Sequence, residues 1–309
     1  MRILVLGFTG YLGGHVTELL RRTPDVAVIG GGRSPAADVG VDLATVSPDR
    51  LAGTLADVAP DAVVNCAGAV GGDAVTLAEV NARGPAVLAA ALRAAAPGAR
   101  LVHLGSAAEY GPGTEGVRVA ETAQAAPATP YGATKLAGTA AVTASGLDAV
   151  VLRVGNPVGP GAPAAGLPGR VVRLLRSAGG GPEAELRLGD LSPYRDFVDV
   201  RDVARASLLA ATVPGPLPGV LNVGGGGAVP VRELVEGLAR AAGFRGRVVE
   251  QNGGSARSGG VSWQCSDIAA AEKALGWRPA HTLRDSVAAL WQEDGTAAVA
   301  AGAVPDGTP

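Results

Sequence analysis

Two side chains four residues apart, Tyr131 and Lys135 in the segment ATPYGATKLAG, have the types and spacing for acid–base chemistry. Residues four apart on a helix share one face. An ammonium beside a phenol favours the phenolate and lowers the phenol's pKa from about 10. Lys135 is one of only two lysines in an arginine-rich chain, and only a lysine supplies a compact charge whose pKa shifts readily. The pair therefore predicts a tyrosine that donates a proton near neutral pH.

A glycine-rich loop stands at the first predicted strand-to-helix junction, in LVLGFTGYLGGHV. Gly7, Gly10 and Gly13 permit a tight turn and let a pyrophosphate approach the main chain, while the helix N-terminus supplies unpaired N–H donors. An amphipathic stretch carrying Val16, Leu19 and Leu20 follows directly. The loop therefore predicts a dinucleotide site.

The second predicted strand ends in Arg33 and Ser34 rather than in an acidic residue. An Asp or Glu about 20 residues after the glycines binds the ribose 2′-hydroxyl of NAD, whereas an arginine accommodates the 2′-phosphate of NADP. Arg33 follows Gly13 at that spacing, so NADP(H) is favoured over NAD(H). Asp42 ends a neighbouring strand, where we expect it to meet the adenine rather than the ribose.

A serine, Ser106, ends the apolar run RLVHLGS. Doubly wound folds bind their ligands at the carboxyl edge of the sheet. A hydroxyl at that edge could orient a substrate carbonyl, although strand-end serines also occur without any such role.

The elements that must position these residues alternate along the chain. Short apolar runs such as RILVL, VAVIG and DAVVNCAG alternate with longer Ala/Leu-rich stretches. This alternation predicts an α/β fold with a doubly wound parallel sheet and a smaller C-terminal substrate-binding lobe. We assign residues 1–155 and about 196–222 to an NADP-binding Rossmann domain, residues 156–195 and 223–293 to the substrate lobe, and residues 294–309 to a flexible tail.

Composition excludes several partners. The chain has 26 basic and 28 acidic residues, without the basic excess that a nucleic acid partner requires. No apolar run is long enough for a membrane span or a signal peptide, so we expect a cytoplasmic protein. Cys66, Cys265 and the three histidines show neither a disulfide framework nor metal-ligand spacing.

Several motifs together resemble the extended class of short-chain dehydrogenase/reductases, which use NAD(P) and mostly act on nucleotide sugars. The motifs are the three loop glycines, NCAGAVGG, GSAAEYG, YGATK, RVGNPVGPG and RDFVDVRDVA. The resemblance spans residues 2–291. In motif order the chain is most similar to the GDP-4-keto-6-deoxy-mannose reductases and related 4-ketosugar reductases.

The resemblance implies roles for the residues at matching positions. Tyr131 would be the general acid, Lys135 would lower its pKa and hold the nicotinamide ribose, and Ser106 would bind the carbonyl oxygen. Asn156 and Arg195 match positions that contact the substrate's phosphates or nucleoside. Arg257 falls where relatives have RPGD, but ARSGG lacks that Pro and Asp, which puts its phosphate contact in doubt.

Two sets of binding residues complete this interpretation. The predicted cofactor contacts are Gly7, Thr9, Gly10, Tyr11, Leu12, Gly13, Arg33, Ser34, Asp42, Leu43, Ala67, Gly68, Ala69, Tyr131 and Lys135. The predicted substrate contacts are Ser106, Ala107, Asn156, Arg195 and Arg257.

The residues after Ser106 limit which reactions of the class this chain could catalyse. Dehydratases of the class carry an Asp-Glu pair where this chain has Ala107 and Ala108, which disfavours loss of water. Glu109 is adjacent, but it would point away if strand alternation persists. Hydride transfer to a ketone and 4-epimerisation remain. Arg33 favours an exchangeable NADPH, and therefore a ketoreductase acting on a nucleoside-diphosphate 4-keto-6-deoxyhexose.

Three alternatives stay open. Some relatives in antibiotic-producing pathways act on aromatic polyketide or other natural-product ketones. An NAD-dependent nucleotide-sugar 4-epimerase shares the scaffold, and a non-catalytic NADP-binding sensor is a different class that commonly lacks the tyrosine. The resemblance also implies a homodimer, formed through a four-helix bundle of the helices at about 74–96 and 129–145.

Overall fold

A computed structural model of the chain describes residues 1–178, 181–251 and 260–302, with side chains as far as residue 292. Its strands, in chain order, are β1 (Arg2–Leu6), β2 (Ala27–Gly32), β3 (Val39–Gly40), β4 (Ala62–Asn65), β5 (Arg100–Ser106), β6 (Ala149–Val154), β7 (Asn156–Val158), β8 (Glu185–Leu188), β9 (Tyr194–Asp199), β10 (Val220–Val223), β11 (Ala228–Pro230) and β12 (Arg247–Glu250).

The helices alternate with these strands. They are α1 (Tyr11–Arg21), α2 (Pro48–Val58), α3 (Ala74–Ala78), α4 (Gly84–Ala95), α5 (Pro130–Thr143), α6 (Leu167–Ser177), α7 (Val200–Thr212), α8 (Val231–Ala241), α9 (Ala269–Leu275) and α10 (Leu283–Gly302). A π-helical turn, Glu79–Arg83, joins α3 to α4, and a 3-10 turn, Ala107–Glu109, follows β5.

Seven parallel strands form the main sheet, in the order β10-β6-β5-β4-β1-β2-β3. Every residue of β4 and β5 is buried, because helices cover both faces of the sheet. The chain reverses its strand order beside β1 and β4, which places a ligand crevice at their carboxyl ends. The predicted α/β fold with a doubly wound parallel sheet is confirmed.

Alternate side chains of β1 enter two different hydrophobic cores. Ile3 and Val5 pack with α1, α7 and α9 on one face of the sheet, and Trp277 is fully buried in this same core. Leu4 and Leu6 pack with α2 and α4 on the other face. The period-two alternation of a strand is thus what divides one short apolar run between two layers.

The remaining strands form two smaller sheets, β11-β9-β7 and β12-β8. A third core lies between α6, α8 and α10 and includes Val171, Leu234 and Leu290. β9 belongs to the three-stranded sheet, so the predicted boundary near residue 196 falls inside a strand. α10 continues to Gly302, into the segment predicted as a flexible tail, and residues 303–309 lie outside the described residues.

Local sequence explains the start of α5, the helix that carries Tyr131 and Lys135. Thr129 is its N-cap, and the Thr129 hydroxyl accepts a hydrogen bond from the Gly132 N–H at 3.2 Å. Pro130 follows at the first helical position, where its missing N–H costs nothing. These two residues fix where the helix begins, and therefore the face on which the tyrosine and lysine project.

Candidate active site

Four glycines lie just past the carboxyl ends of β1, β6 and β10, and we call them the strand-end glycines: Gly7, Gly155, Gly224 and Gly225. A Cβ on Gly7 would lie 2.8 Å from the Ala67 nitrogen, and one on Gly155 would lie 2.7 Å from the Asp196 carbonyl oxygen. At Gly224 and Gly225 a Cβ would overlap the Asp196 carboxylate and the Phe197 carbonyl oxygen. Only glycine fits at these four positions, because the neighbouring chain packs directly against each of them.

The loop between β1 and α1 has the shape that a pyrophosphate requires. Gly7 has φ +77°, in the region that favours glycine, and its carbonyl oxygen accepts the Gly10 N–H at 2.9 Å. A Cβ on Gly13 would overlap the Gly7 carbonyl oxygen, so the third glycine lets α1 approach the strand. Thr9 and Gly10 are exposed, and Tyr11 and Leu12 open the helix. The residues present therefore fit a dinucleotide at a helix N-terminus.

The loop after β4 is held by a residue that sequence reasoning missed, Asn81. Its side-chain oxygen accepts the Ala69 N–H at 2.9 Å, and its Nδ2 donates to the Ala69 carbonyl at 2.8 Å and to Thr134 Oγ1 at 3.3 Å. Asn81 is 1% exposed and lies in the π-helical turn. One buried amide thus ties the segment 67–69, where Gly68 is exposed, to α5. The available signal was an uncharged polar residue, Asn81, between the charged residues Glu79 and Arg83 in AEVNARGPAV.

The residues assigned to the adenosine end of the cofactor lie at the ends of β2 and β3. Arg33 is exposed immediately after β2, and the Ser34 hydroxyl accepts the Ala36 N–H at 3.2 Å in the next turn. The Asp42 carboxylate accepts the Ala44 N–H at 3.0 Å, and Leu43 is buried in the second core. The Asp42 carboxylate therefore caps the loop in which it lies.

Strand alternation does not persist after Ser106, contrary to the condition under which Glu109 would point away. The strand ends at Ser106, and the 3-10 turn returns Glu109 beneath it. The Ser106 N–H donates to Glu109 Oε1 at 2.8 Å, and the Ser106 hydroxyl accepts the Ala108 N–H at 3.2 Å. This reciprocal capping box fixes the serine at the sheet edge. Ala107 is buried in the same turn.

The start of α5 lies against that turn. A Cβ on Gly132 would lie 2.5 Å from the Ala108 carbonyl oxygen, so the helix contacts the turn closely. Lys135 is 5% exposed, and its Nζ donates to the Leu104 carbonyl at 2.5 Å, two residues before Ser106. Tyr131 is half-buried one turn earlier on the same face. The fold thus brings Ser106, Tyr131 and Lys135 to one region of the sheet edge.

Burial dominates the electrostatics around Lys135. It lowers the pKa of the Lys135 ammonium from 10.5 to about 8, and the Glu109 carboxylate opposes that shift, as does Cys66 when it is ionised. Burial also raises the pKa of the Cys66 thiol to about 12 and lowers the pKa of His103 well below its usual value. His103 lies behind the site, with its Nδ1 3.1 Å from Asn65 Nδ2.

The predicted substrate residues of the smaller sheets contact their own neighbours. Asn156 Nδ2 donates to Gln264 Oε1 at 2.9 Å. The Arg195 guanidinium is largely buried and donates to the carbonyls of Tyr194 and Val261, each at 2.8 Å. Burial lowers the pKa of Arg195. Arg257 lies outside the described residues.

Comparison with known proteins defines the class to which this fold and site belong. The chain belongs to the NAD dependent epimerase/dehydratase family, whose model matches residues 3–224. This confirms the resemblance to the extended short-chain dehydrogenase/reductases. Within the described residues, no group of three His, Cys, Asp or Glu side chains could hold a metal, and no helix has the length and apolarity to cross a membrane.

Among curated relatives, the dTDP-6-deoxy-L-talose 4-dehydrogenase (NAD(P)(+)) of Kitasatospora kifunensis is 42% identical over 207 residues, which is 65% of this chain and 65% of the relative. The chain thus spans just under two thirds of that relative's length. The solved structure of MoeE5 in complex with UDP-glucuronic acid and NAD has a TM-score of 0.82 at 28% identity, covering 96% of this chain and 100% of that one.

RMD from Pseudomonas aeruginosa, complexed with NADPH, also has a TM-score of 0.82, at 26% identity, with 96% of this chain and 98% of that chain covered. These neighbours extend the similarity over nearly the whole chain, beyond the residues that the family model matches. They differ in the cofactor bound, so they leave the choice between NAD and NADP open.

Proposed function

We propose that the chain is an NADPH-dependent ketoreductase that reduces the 4-keto group of a nucleoside-diphosphate 4-keto-6-deoxyhexose. The observation that carries this proposal is the placement of Tyr131 and the buried Lys135 on one face of α5, against the turn that holds Ser106. Residues 1–155 and about 196–222 would bind the cofactor, and residues 156–195 and 223–293 would bind the sugar nucleotide.

When bound, the reduced nicotinamide supplies the hydride that reaches the carbonyl carbon. Tyr131 donates its phenolic proton to the carbonyl oxygen of the ketone. The ammonium of Lys135 stabilises the resulting phenolate. The Ser106 hydroxyl donates a hydrogen bond to the same oxygen and so orients the ketone. The peptide groups of the Gly7–Gly13 loop would hold the dinucleotide at the N-terminus of α1.

Three observations support reduction over the other reactions of the family. Ala107 and Ala108 supply no acid–base pair for dehydration, and Ala107 is buried within the turn. Arg33 is exposed at the end of β2, where a guanidinium suits bidentate contact with a 2′-phosphate. The relative from Kitasatospora is named as a dehydrogenase of a dTDP-6-deoxyhexose at C4, which is the same oxidation–reduction in reverse.

The proposal is tested by mixing the purified chain with NADPH or NADH and with dTDP- and GDP-linked 4-keto-6-deoxyhexoses, following the absorbance of the reduced nicotinamide. We expect turnover with NADPH in excess of NADH. Tyr131→Phe removes only the phenol hydroxyl, so kcat should fall by about 10²–10⁴-fold. NADPH binding, measured by nicotinamide fluorescence, should be retained.

Tyr110→Phe is the matched control, because it removes a phenol hydroxyl that donates to Asn222 within the protein interior. It should keep kcat within a few-fold of the parent. Undiminished turnover in Tyr131→Phe would overturn the assigned proton donor. Exchange of 4-epimers without net NADPH consumption would identify an epimerase, reduction of polyketide ketones alone would replace the sugar nucleotide, and cofactor binding without any turnover would indicate a sensor.

A further inference from the structure

Glu109 is a buried charge for which the proposed reaction assigns no use. The side chain is fully buried, and its two oxygens accept three hydrogen bonds. Oε1 accepts the Ser106 N–H at 2.8 Å, while Oε2 accepts the Thr139 hydroxyl at 2.9 Å and Arg153 Nε at 2.7 Å. A carboxylate so fully hydrogen-bonded is held in one position.

Each of these partners lies on a different element of the site. Ser106 ends β5, Thr139 lies on α5, and Arg153 lies on β6. Thr139 is one helical turn beyond Lys135, on the same buried face. The carboxylate of Glu109 therefore joins the strand that ends in the serine to the helix that carries the tyrosine and lysine.

The surrounding chain makes room for this carboxylate. A Cβ on Gly105 would lie 2.8 Å from Glu109 Oε1 and 2.7 Å from Val151 Cγ1, so a side chain at that position would displace it. On the far side, the Arg153 guanidinium lies 4.4 Å from the centre of the Tyr110 ring. The Tyr110 hydroxyl in turn donates to Asn222 Oδ1 at 2.7 Å.

Stability alone does not account for such a pair. Removing two charges from water costs several kcal/mol per ion, and apolar residues of similar volume often replace a buried ion pair without loss. The pair lies instead where a charge can act on the reaction, directly under the turn of Ser106 and beside the buried face of α5.

Groups from several elements face Lys135: Cys66 immediately after β4, His103 from β5 and Glu109 from the 3-10 turn, besides Tyr131 on its own helix. The raised pKa of Cys66 and the lowered pKa of His103 leave both uncharged at neutral pH. Arg153 of β6 is paired with Glu109 itself. Among Cys66, His103 and Glu109, only the carboxylate therefore favours the ammonium form of the lysine near neutrality.

We propose that Glu109 is a positioning residue of this site, which orients Ser106 and α5 through its three hydrogen bonds and keeps Lys135 protonated. The proposal deepens the proposed function and rests on it for the reaction. Its electrostatic half, the effect of Glu109 on the protonation of Lys135, is measurable in the protein without substrate or cofactor. Loss of the carboxylate should lower the proportion of ammonium at a given pH and displace the serine from its cap.

Lysine NMR tests the electrostatic half directly, because the chain has only two lysines and Lys273 is exposed. Lys273→Arg leaves Lys135 as the single signal of a chain labelled with ¹³C-lysine, whose titration is then followed without substrate or cofactor. The midpoint should lie at about pH 8. In Glu109→Gln it should fall by about one pH unit, because the neighbouring anion is gone.

Glu121→Gln is the matched control, since Glu121 accepts the Asn222 N–H at 2.7 Å at the other end of the same network. Its lysine midpoint should equal that of the parent. Glu109→Gln leaves Arg153 without its partner, so a second variant, Glu109→Met with Arg153→Met, removes both charges and keeps the volume apolar. Thermal melting identifies which variants are folded. The lysine midpoint should fall in both Glu109 variants, and an unmoved midpoint in a folded Glu109 variant would overturn the proposal.

Turnover separates this proposal from the proposed function. In Glu109→Gln, kcat should fall about tenfold or more, and the alkaline limb of the pH–rate profile should move to lower pH by the amount seen in the NMR titration. A merely structural role would leave that limb in place. A moved midpoint in a chain that reduces no ketone would overturn the proposed function alone, whereas an unmoved midpoint in an active enzyme would overturn the role of Glu109 alone.

Discussion

At Lys135, burial favours the uncharged amine, whereas the proposed reaction requires the ammonium. The lysine donates to the Leu104 carbonyl from a site that is 5% exposed, and its pKa of about 8 lies close to neutral pH. An exposed lysine would stay charged well beyond that pH. The fold therefore places the proposed activating group near the upper pH limit of its protonated form.

This position predicts opposite pH effects on activity and on stability. Below about pH 8 the ammonium is present, so kcat/KM should be constant there and fall to half at about pH 8 as the proton is lost. The unfolded chain holds that proton up to about pH 10.4, so between those two values the unfolded state binds more protons and the lysine's destabilising effect shrinks as pH rises.

Two measurements check the signs of these effects. Initial rates across the pH range locate the alkaline limb. Denaturant unfolding of the parent and of Lys135→Met should show an advantage of the methionine variant that is largest below pH 8 and declines above it. A rate that stays constant well above pH 9 would contradict the predicted requirement for the ammonium.

Sequence reasoning succeeded for residues whose geometry is local. The spacing of Tyr131 and Lys135 becomes a shared face because a helix repeats every 3.6 residues, and Thr129 and Pro130 mark where that helix starts. It missed the contacts of Arg195 and Asn156, whose partners Val261 and Gln264 lie more than 60 residues away. It left the direction of Glu109 conditional on strand alternation past Ser106, whereas Ser106 and Glu109 have the spacing of a capping box, which ends the strand.

At the scale of elements, the approach of α1 to β1 sets the cofactor loop. The Gly13 Cα faces the Gly7 carbonyl, where an added Cβ would overlap the oxygen, while a Cβ on Gly14 would have its nearest contact, Phe8 O, at 3.8 Å. Packing requires glycine at position 13, whereas position 14 has room for a side chain. Substitutions at these two adjacent positions therefore form a matched comparison.

We expect Gly13→Ala to destabilise the chain by about 1–3 kcal/mol through overpacking and to abolish NADPH binding. Gly14→Ala should be neutral or stabilising by up to about 1 kcal/mol, because alanine is the better helix former and the space is open. Denaturant titration and nicotinamide fluorescence measure the two effects. Equal effects of the two substitutions would show that α1 does not approach β1 so closely.

Element type was predicted well where hydrophobic period and length agree, as in the continuous apolar strands β1, β4 and β5. The sequence did not indicate that α10 reaches Gly302, because AAVAAG has no amphipathic period. The π-helical turn was not predicted either. It contains the buried Asn81, whose hydrogen bonds to Ala69 join residues 12 apart in sequence.

At the scale of the whole molecule, α4 and α5 present small residues to the surface. Ala133, Ala137 and Ala140 are exposed along α5, and Val75 is 65% exposed on α3. Small side chains permit close approach of helices, and four such helices from two copies form a bundle. We propose that this face is the homodimer interface that the family resemblance implies.

Sedimentation velocity tests that interface. The parent chain should sediment as a dimer at micromolar concentration, and Ala137→Arg should convert it to a monomer because a charge would be buried between the helices. Ala56→Arg, at an exposed alanine of α2, should leave the dimer intact. A monomeric parent, or a dimer that tolerates Ala137→Arg, would contradict the proposed interface.

The strand-end glycines restrict which positions tolerate substitution. At Gly7, Gly155, Gly224 and Gly225 an added Cβ would overlap atoms of Ala67, Asp196 or Phe197, so a methyl group would displace the neighbouring chain. A directed-evolution library meant to broaden the accepted ketones should therefore keep these four glycine codons and randomise exposed residues at the carboxyl edge of the sheet.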